Sequence, residues 1–311
     1  MKQKGILTGI MVMGILSACT IPGIDATPPP TANSTAAIST ALPAPTATPE
    51  PVAALVNDVP IPLAAYERQV ARYEADMAAS GQDPSLSEEQ AVQDRAWVLE
   101  IMIDQVLIEQ AGIQAGITVS DADVDAAIAS LKTDIGQEAF DAWLANEGFT
   151  LEEMREKLRS EMVTTQMVNK IAETVPTHGE HILARHILVN TQEEAQQLLG
   201  RLQAGEDFAE LARTYSQDPS TRDTGGDLGY FPQGVLISPE VEAAAFALQP
   251  GQIGPVVQSA MGYHVIQVVE RVPDMEITSD NVYLLRDKAV REWVAGLRAS
   301  ANIQRFVAAT P

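Results

Sequence analysis

Two of the four histidines in this 311-residue chain stand inside apolar runs. His186 lies in Ala184-Arg185-His186-Ile187-Leu188-Val189-Asn190, and His264 in Gly262-Tyr263-His264-Val265-Ile266-Gln267-Val268-Val269. Both runs read as β-strands, where Val or Thr would fit better than an imidazole. One strand histidine alone is by default a half-buried side chain with its hydrogen bonds met. Two raise the question of what a sheet does with paired ring nitrogens, each able to donate or accept near neutral pH. Metal binding would need more donors: His178 and His181 precede His186, but no carboxylate or thiol pattern accompanies them, so no metal and no cofactor is expected. Asp218-Pro219 alone is a turn signal and Gly225-Gly226 a loop signal. No strand leads directly into the glycine pair, which is therefore not a phosphate cradle.

The elements that must position these residues follow from periodicity and caps. A strand over 181–190 is followed by Thr191-x-x-Glu194, a capping box opening a helix through Ala195, Leu198, Leu199 and Leu202 that stops at Gly205. A second helix covers 208–215, and a loop runs over 216–226. A short strand spans 228–231, and Ser238-Pro239 starts a third helix with proline in its first turn. After the Pro250-Gly251 turn, 253–258 and 263–269 are the last two strands. The order βααβαββ predicts a small α+β domain over 177–273. The preceding region, 53–176, opens with a strand–turn–strand at Val56-Asn57-Asp58-Val59 and is otherwise helical. Its helices run over 63–79 (stopping at Gly81), from the Ser87-x-x-Gln90 box to about 115, from Ser120-x-x-Asp123, over 137–146 (closed by Gly148), and from Thr150-x-x-Glu153 to about 173. Within 274–311 an amphipathic helix over 279–299 carries Val282, Leu285, Ala289, Trp293 and Leu297 on one stripe. That stripe is expected to pack on the N-terminal helices, which makes 177–273 an insertion. The fold class is α+β.

Composition bounds the partners. The net charge of −22 argues against nucleic acid, whose phosphates would be repelled. Between Glu50 and Glu180 there are 25 acidic and 8 basic residues, which reads first as a solvated helical surface. The chain starts with the basic Met1-Lys2-Gln3-Lys4 and an apolar run over 5–16 too short to span a bilayer comfortably. Leu16-Ser17-Ala18-Cys19 then presents small residues before the single cysteine. This order resembles the lipobox of bacterial lipoprotein precursors. The resemblance implies removal of 1–18 and lipidation of Cys19, anchoring the protein to the outer face of the cell membrane. Thr, Ala, Ser and Pro dominate 19–52, a disordered, partly polyproline-II tether that could extend roughly 100 Å at ~3.1 Å per residue.

A more specific resemblance rests on motifs in order along 181–271. They are His186-Ile187-Leu188-Val189, Phe208-x-x-Leu211-Ala212, Tyr215-Ser216-x-Asp218, Gly225-Gly226-Asp227-Leu228-Gly229-Tyr230-Phe231, Ala245-Phe246-Ala247-Leu248, Pro250-Gly251-x-Ile253-x-Pro255-Val256 and Gly262-Tyr263-His264. This segment resembles a parvulin-type peptidyl-prolyl cis/trans isomerase, with a four-stranded antiparallel sheet. Lipobox, helices, parvulin and closing helix together resemble the PrsA-type foldase lipoproteins, and the helices resemble the SurA-N-like chaperone domain. The parvulin resemblance implies that His186 and His264 stand side by side on neighbouring strands. It implies that Asp218 faces the substrate carbonyl region and that Ser259 hydrogen-bonds the histidine pair. It also places Leu228, Leu236, Val241 and Phe246 near the proline slot, with a one-residue insertion around Leu236 and Val241. Where phosphate-directed parvulins have a basic loop, this chain has Asn190-Thr191-Gln192-Glu193-Glu194, which would repel a phosphoryl group.

The expected function is isomerisation of X-Pro bonds in unfolded secreted or envelope proteins by a membrane-anchored, extracytoplasmic foldase. The alternative is a holdase whose parvulin domain binds but hardly catalyses. The expected partners are unfolded, proline-containing secreted proteins and a membrane reached through the lipid; a homodimer is compatible with the sequence.

Overall fold

The computed structural model describes residues 50–80 and 88–307. The leader, Cys19, almost all of the tether, the Gly81 stop and the Ser87 cap lie outside the described residues. The described residues divide into two compact units, one of those up to 106 together with those from 301 on and one of 107–300, the boundary falling within a helix.

The first unit holds a three-stranded antiparallel sheet in the order β2-β1-β7, from β1 (Val52–Val56), β2 (Val59–Pro62) and β7 (Ile303–Arg305). Val56-Asn57-Asp58-Val59 closes the hairpin in two residues. Asn57 and Asp58 both have positive φ, 49° and 66°, which the mirror-image turn demands and which Asn and Asp tolerate. β7 is an element the periodicity did not predict. It is docked by hydrogen bonds at Asn57 and by an Arg305–Glu100 ion pair. Helix α1 (Leu63–Ala79) buries Tyr66 and Val70 and is followed by α2 (Glu88–Gln114).

The second unit begins in α2 and continues through α3 (Asp121–Ile135), α4 (Gln137–Glu147) and α5 (Leu151–Ala172). Capping boxes are present at Ser120/Asp123 and Thr150/Glu153. α3, α4 and α5 meet over Val124, Ile128, Phe140, Leu144 and Met154. The four-stranded antiparallel sheet follows, ordered β4-β3-β6-β5 from β3 (His178–Val189), β4 (Asp227–Pro232), β5 (Val257–Ser259) and β6 (Gly262–Glu276). Between its strands lie α6 (Gln192–Gln203), α7 (Phe208–Tyr215) and α8 (Pro239–Phe246), giving the order βααβαββ.

Strand pleat assigns the faces. Side chains alternate along a strand, so residues two apart share a face. Ile187, Val189 and Val265 pack with Ala195, Leu198, Leu202, Phe208 and Leu211 of α6 and α7. Ile182 and Ala184 of β3, with Ile266 and Val268 of β6, pack with Val241, Ala245 and Leu248 at α8. The two central strands are thus covered on both faces, and β4 and β5 are the edges. His186 continues the Ile182–Ala184 series and His264 the Ile266–Val268 series, so both imidazoles are directed to the α8 face.

Helix α9 (Ser279–Ser300) lies against α5 and has no fully buried residue; Val282, Leu285, Ala289, Trp293 and Leu297 are half-buried. Among the described residues no helix is long and apolar enough to cross a membrane.

Candidate active site

The register sets the imidazoles together. His186 pairs across the sheet with Ile266 and His264 with Leu188, which makes the two histidines diagonal neighbours on one face. Their rings lie nearly parallel with centroids 5.4 Å apart, and Nδ1 faces Nδ1 at 3.2 Å. His186 is 5 % exposed and His264 is fully buried.

A loop over 216–226 brings the acid. The Leu188 amide donates to the buried Ser216 Oγ at 3.2 Å, and the Gln217 amide donates to the Leu188 carbonyl at 2.7 Å. At the other end the His186 amide donates to the Gly226 carbonyl at 2.9 Å. This explains Gly225-Gly226. Gly226 has φ +81°, and a Cβ there would lie 2.1 Å from the His186 carbonyl oxygen, so only glycine permits the approach. Pinned at both ends, the loop places Asp218 Oδ2 at 2.7 Å from His186 Nε2. Thr221 Oγ1 lies 2.6 Å from the same oxygen and 3.1 Å from Nε2. Ser220 donates to Asp218 Oδ1 through its amide at 2.9 Å and its hydroxyl at 2.6 Å. On the far side Ser259 Oγ lies 2.7 Å from His264 Nε2 and accepts from the Met261 amide at 3.0 Å.

With one proton on each imidazole, donor and acceptor inventory gives this chain of bonds one direction. An ionised Asp218 only accepts, so His186 carries its proton on Nε2 and its Nδ1 accepts. His264 therefore donates from Nδ1, its Nε2 accepts, and the Ser259 hydroxyl donates to it. In that arrangement each imidazole fixes the other's tautomer. Burial works to raise the Asp218 carboxyl, but hydrogen bonds from Ser220, Thr221 and His186 outweigh it and hold the group well below the usual carboxylate range. Burial, then the neighbouring His186, push His264 down to about 4, against smaller opposing effects of Asp218 and Glu240.

Beside this relay lies apolar surface. Leu228, Leu236, Val241 and Phe246 belong to one cluster with Phe231, Val257 and Ile266. Val241 is buried, while Leu228, Leu236 and Phe246 are partly exposed. Phe246 differs from the other three: it packs edge-on against Phe231, lies under Arg271 and lines a cavity of about 490 Å³ bordered by α9. Arg271 also donates to the Phe246 and Leu248 carbonyls at 2.7 and 2.9 Å, closing the C-terminal end of α8.

The structure therefore brings His186, Asp218, Ser259 and His264 into one hydrogen-bonded line and sets Leu228, Leu236 and Val241 in the adjoining apolar group. Sequence reasoning missed Thr221 and Ser220, and gave Ser216 of the Tyr215-Ser216-x-Asp218 motif no role of its own. The available signal was Asp218-Pro219-Ser220-Thr221, an acid followed at two and three residues by hydroxyls, the spacing of side-chain-closed turns. Among the described residues no group of three or more His, Cys, Asp or Glu could hold a metal ion.

The paired buried imidazoles on neighbouring strands, with the acid held to one of them by the loop, agree with the resemblance of 181–271 to a parvulin-type peptidyl-prolyl isomerase, and the family comparison gives that class. The PPIC-type PPIASE domain family matches residues 166–272, and the SurA-like N-terminal domain family matches residues 32–168. The foldase protein PrsA of Caldanaerobacter subterraneus is 35 % identical over 226 residues, covering 67 % of this chain and 70 % of that protein. The foldase protein PrsA of Halalkalibacterium halodurans is 32 % identical over 229 residues, 66 % of this chain and 68 % of that protein. The chain belongs to the PrsA foldase family.

Proposed function

We propose that the protein is an extracytoplasmic foldase, tethered to the membrane through Cys19, that isomerises X-Pro bonds in unfolded secreted or envelope proteins without requiring phosphorylation. Supporting the anchor are the basic start, the short apolar run and the small residues before the single cysteine. Supporting phosphate independence is the start of α6, where Glu194 closes a capping box on Thr191 and Glu193 adds a second negative charge.

Rotation about X-Pro is opposed by amide resonance, a barrier of ~18–20 kcal/mol, and the uncatalysed exchange takes tens to hundreds of seconds. No nucleophile and no metal is needed, only preference for the twisted amide, whose nitrogen is pyramidal and whose carbonyl is no longer conjugated. The apolar group at Leu228, Leu236 and Val241 takes the proline ring out of water. The Asp218–His186–His264–Ser259 line holds its dipoles in one direction, so they need no reorganisation as the amide twists. Lowering the barrier by ~4 kcal/mol would speed exchange about a thousandfold. The observation that carries this reading is the uninterrupted hydrogen-bonded line beside an apolar group whose Leu228 and Leu236 are partly exposed.

The test is refolding of an unfolded protein whose slow phase is set by proline isomerisation, with the chain from Val52 onward added in catalytic amounts. Acceleration that is lost in a His186→Ala, His264→Ala double variant supports the reading. Suppressed aggregation with an unchanged slow phase, in both proteins, would favour a holdase instead.

A further inference from the structure

The apolar group owes one wall to a short loop between β4 and α8, and that loop is held by a buried acid outside the histidine line. Glu242 stands in the first turns of α8 and is 7 % exposed. Its carboxylate turns back onto the loop. Oε1 accepts from the Gly234 amide at 2.8 Å and Oε2 from the Leu236 amide at 3.0 Å. A buried carboxylate needs such donors, and here both oxygens are used on backbone N–H groups two residues apart. On its other side the loop meets α9. Gly234 has φ +101°, and a Cβ there would lie 2.7 Å from Leu285 Cδ2. The loop is thus fixed between a carboxylate and a helix.

Two consecutive side chains leave this loop in different surroundings. Leu236 enters the apolar group with Leu228 and Val241. Ile237 is 92 % exposed, the most exposed of the large hydrophobic side chains among the described residues. A single exposed apolar residue needs no explanation by itself. One carried on the loop whose neighbouring amide is held by a buried carboxylate, and next to the residue that lines the slot, is placed to touch whatever enters that slot.

We propose that Glu242 is a positioning residue for X-Pro recognition: it fixes the height of Leu236 against the proline ring and presents Ile237 to the residue flanking the proline. This rests on the isomerase reading above, since it assigns the slot to proline. It adds a preference the histidine line does not supply, for peptides with an apolar residue beside the proline. Glu242 acts through Leu236 and Ile237 and does not touch the reacting amide.

The experiment compares the full chain with its Glu242→Gln, Glu242→Ala and Ile237→Ser variants on fluorescent peptides of the form Ala-X-Pro-Phe, where X is Leu, Ala, Lys or Glu. Affinity is read by fluorescence anisotropy and isomerisation by isomer-specific proteolysis. A glutamine retains one acceptor oxygen and sets an NH2 against one of the two amides. Glu242→Gln should therefore raise Kd and KM about tenfold for every X while kcat stays within twofold. Ile237→Ser, at an exposed position that leaves the fold intact, should lower affinity several-fold for X = Leu and leave X = Glu unchanged. A merely structural role for Glu242 would instead lower kcat through a smaller folded fraction, with KM unmoved. That result, or wild-type KM in Glu242→Gln, overturns the proposal, as does an Ile237→Ser variant with unaltered preference. If Glu242→Ala does not fold, Glu242→Gln and Ile237→Ser still decide. A wild-type protein that binds these peptides without isomerising them would defeat the isomerase reading while the Kd comparison still judges Glu242; one that binds none defeats both.

Discussion

Asp218→Asn preserves shape and removes one acceptor, which makes it the sharpest perturbation of the relay. Oδ1 accepts from the Ser220 amide and hydroxyl, and Oδ2 accepts from His186 Nε2–H and the Thr221 hydroxyl. Either way round, the new NH2 faces donors. Toward Ser220 it would oppose a backbone N–H that cannot turn away. Toward His186 it opposes a hydroxyl that can rotate and a ring proton that can move to Nδ1. The second arrangement costs less, and it reverses the line: His186 donates from Nδ1, and His264 moves its proton to Nε2, facing Ser259. Bonds to a charged acceptor, about 1.5–3 kcal/mol each, become neutral ones of about 1 kcal/mol. Spread over four donors at a partly solvated carboxylate, a net loss of about 2–3 kcal/mol of stability is expected. The ground-state dipoles beside the rotating amide are inverted as well, so kcat/KM should fall at least about tenfold, equivalent to roughly 1.4 kcal/mol of transition-state stabilisation. Stopped-flow isomer-specific proteolysis gives the rate, and nitrogen NMR of the imidazoles gives the tautomers. A variant with reversed tautomers and a wild-type rate would refute the claim that the direction of the relay matters.

The pH dependence has a fixed sign. His264 is depressed to about 4 from an ordinary 6.5, so between those values the unfolded chain binds more protons than the folded one. Stability should be level above about pH 6.5 and decline as pH falls toward 4, by about 3 kcal/mol in all. Asp218, also depressed, adds a further loss as pH falls below its ordinary 3.8. Urea midpoints of the wild type and His264→Gln test this; the variant should lack the decline between 6.5 and 4, and a flat wild-type curve would contradict it. Gly226→Ala should lose at least roughly 3 kcal/mol, because its Cβ would meet the His186 carbonyl oxygen at 2.1 Å. Gly229→Ala also has positive φ but meets nothing within 4 Å, and should lose only about 1 kcal/mol in the same urea titration.

The sheet was legible because its strands carry apolar runs and its helices carry boxes such as Thr191-x-x-Glu194, which closes in the structure as predicted. Strand lengths were less so. β3 and β6 extend to a His178–Glu276 pairing beyond the apolar runs, since antiparallel partners satisfy each other's backbone whatever side chains they carry. β7 was invisible for a related reason. Ile303-Gln304-Arg305 has no periodicity of its own, and its partner β1 lies about 250 residues away. At the site, the histidines announced themselves as misfits in apolar strands. Thr221 and Ser220 did not, because hydroxyls in a turn are ordinary and their role depends on where Asp218 is held. Glu242 was equally silent: an acid near a helix start is common, and only the fold shows its carboxylate turned back onto Gly234 and Leu236.

The most direct measurement is the cis/trans exchange rate of an unphosphorylated Ala-Leu-Pro-Phe peptide, followed by exchange NMR with the chain from Val52 onward present in substoichiometric amount. Exchange accelerated about a thousandfold at the bound peptide, and lost when His186 and His264 are both alanine, is the predicted result. Exchange no faster than in buffer, or acceleration that survives the loss of both imidazoles, would contradict the account.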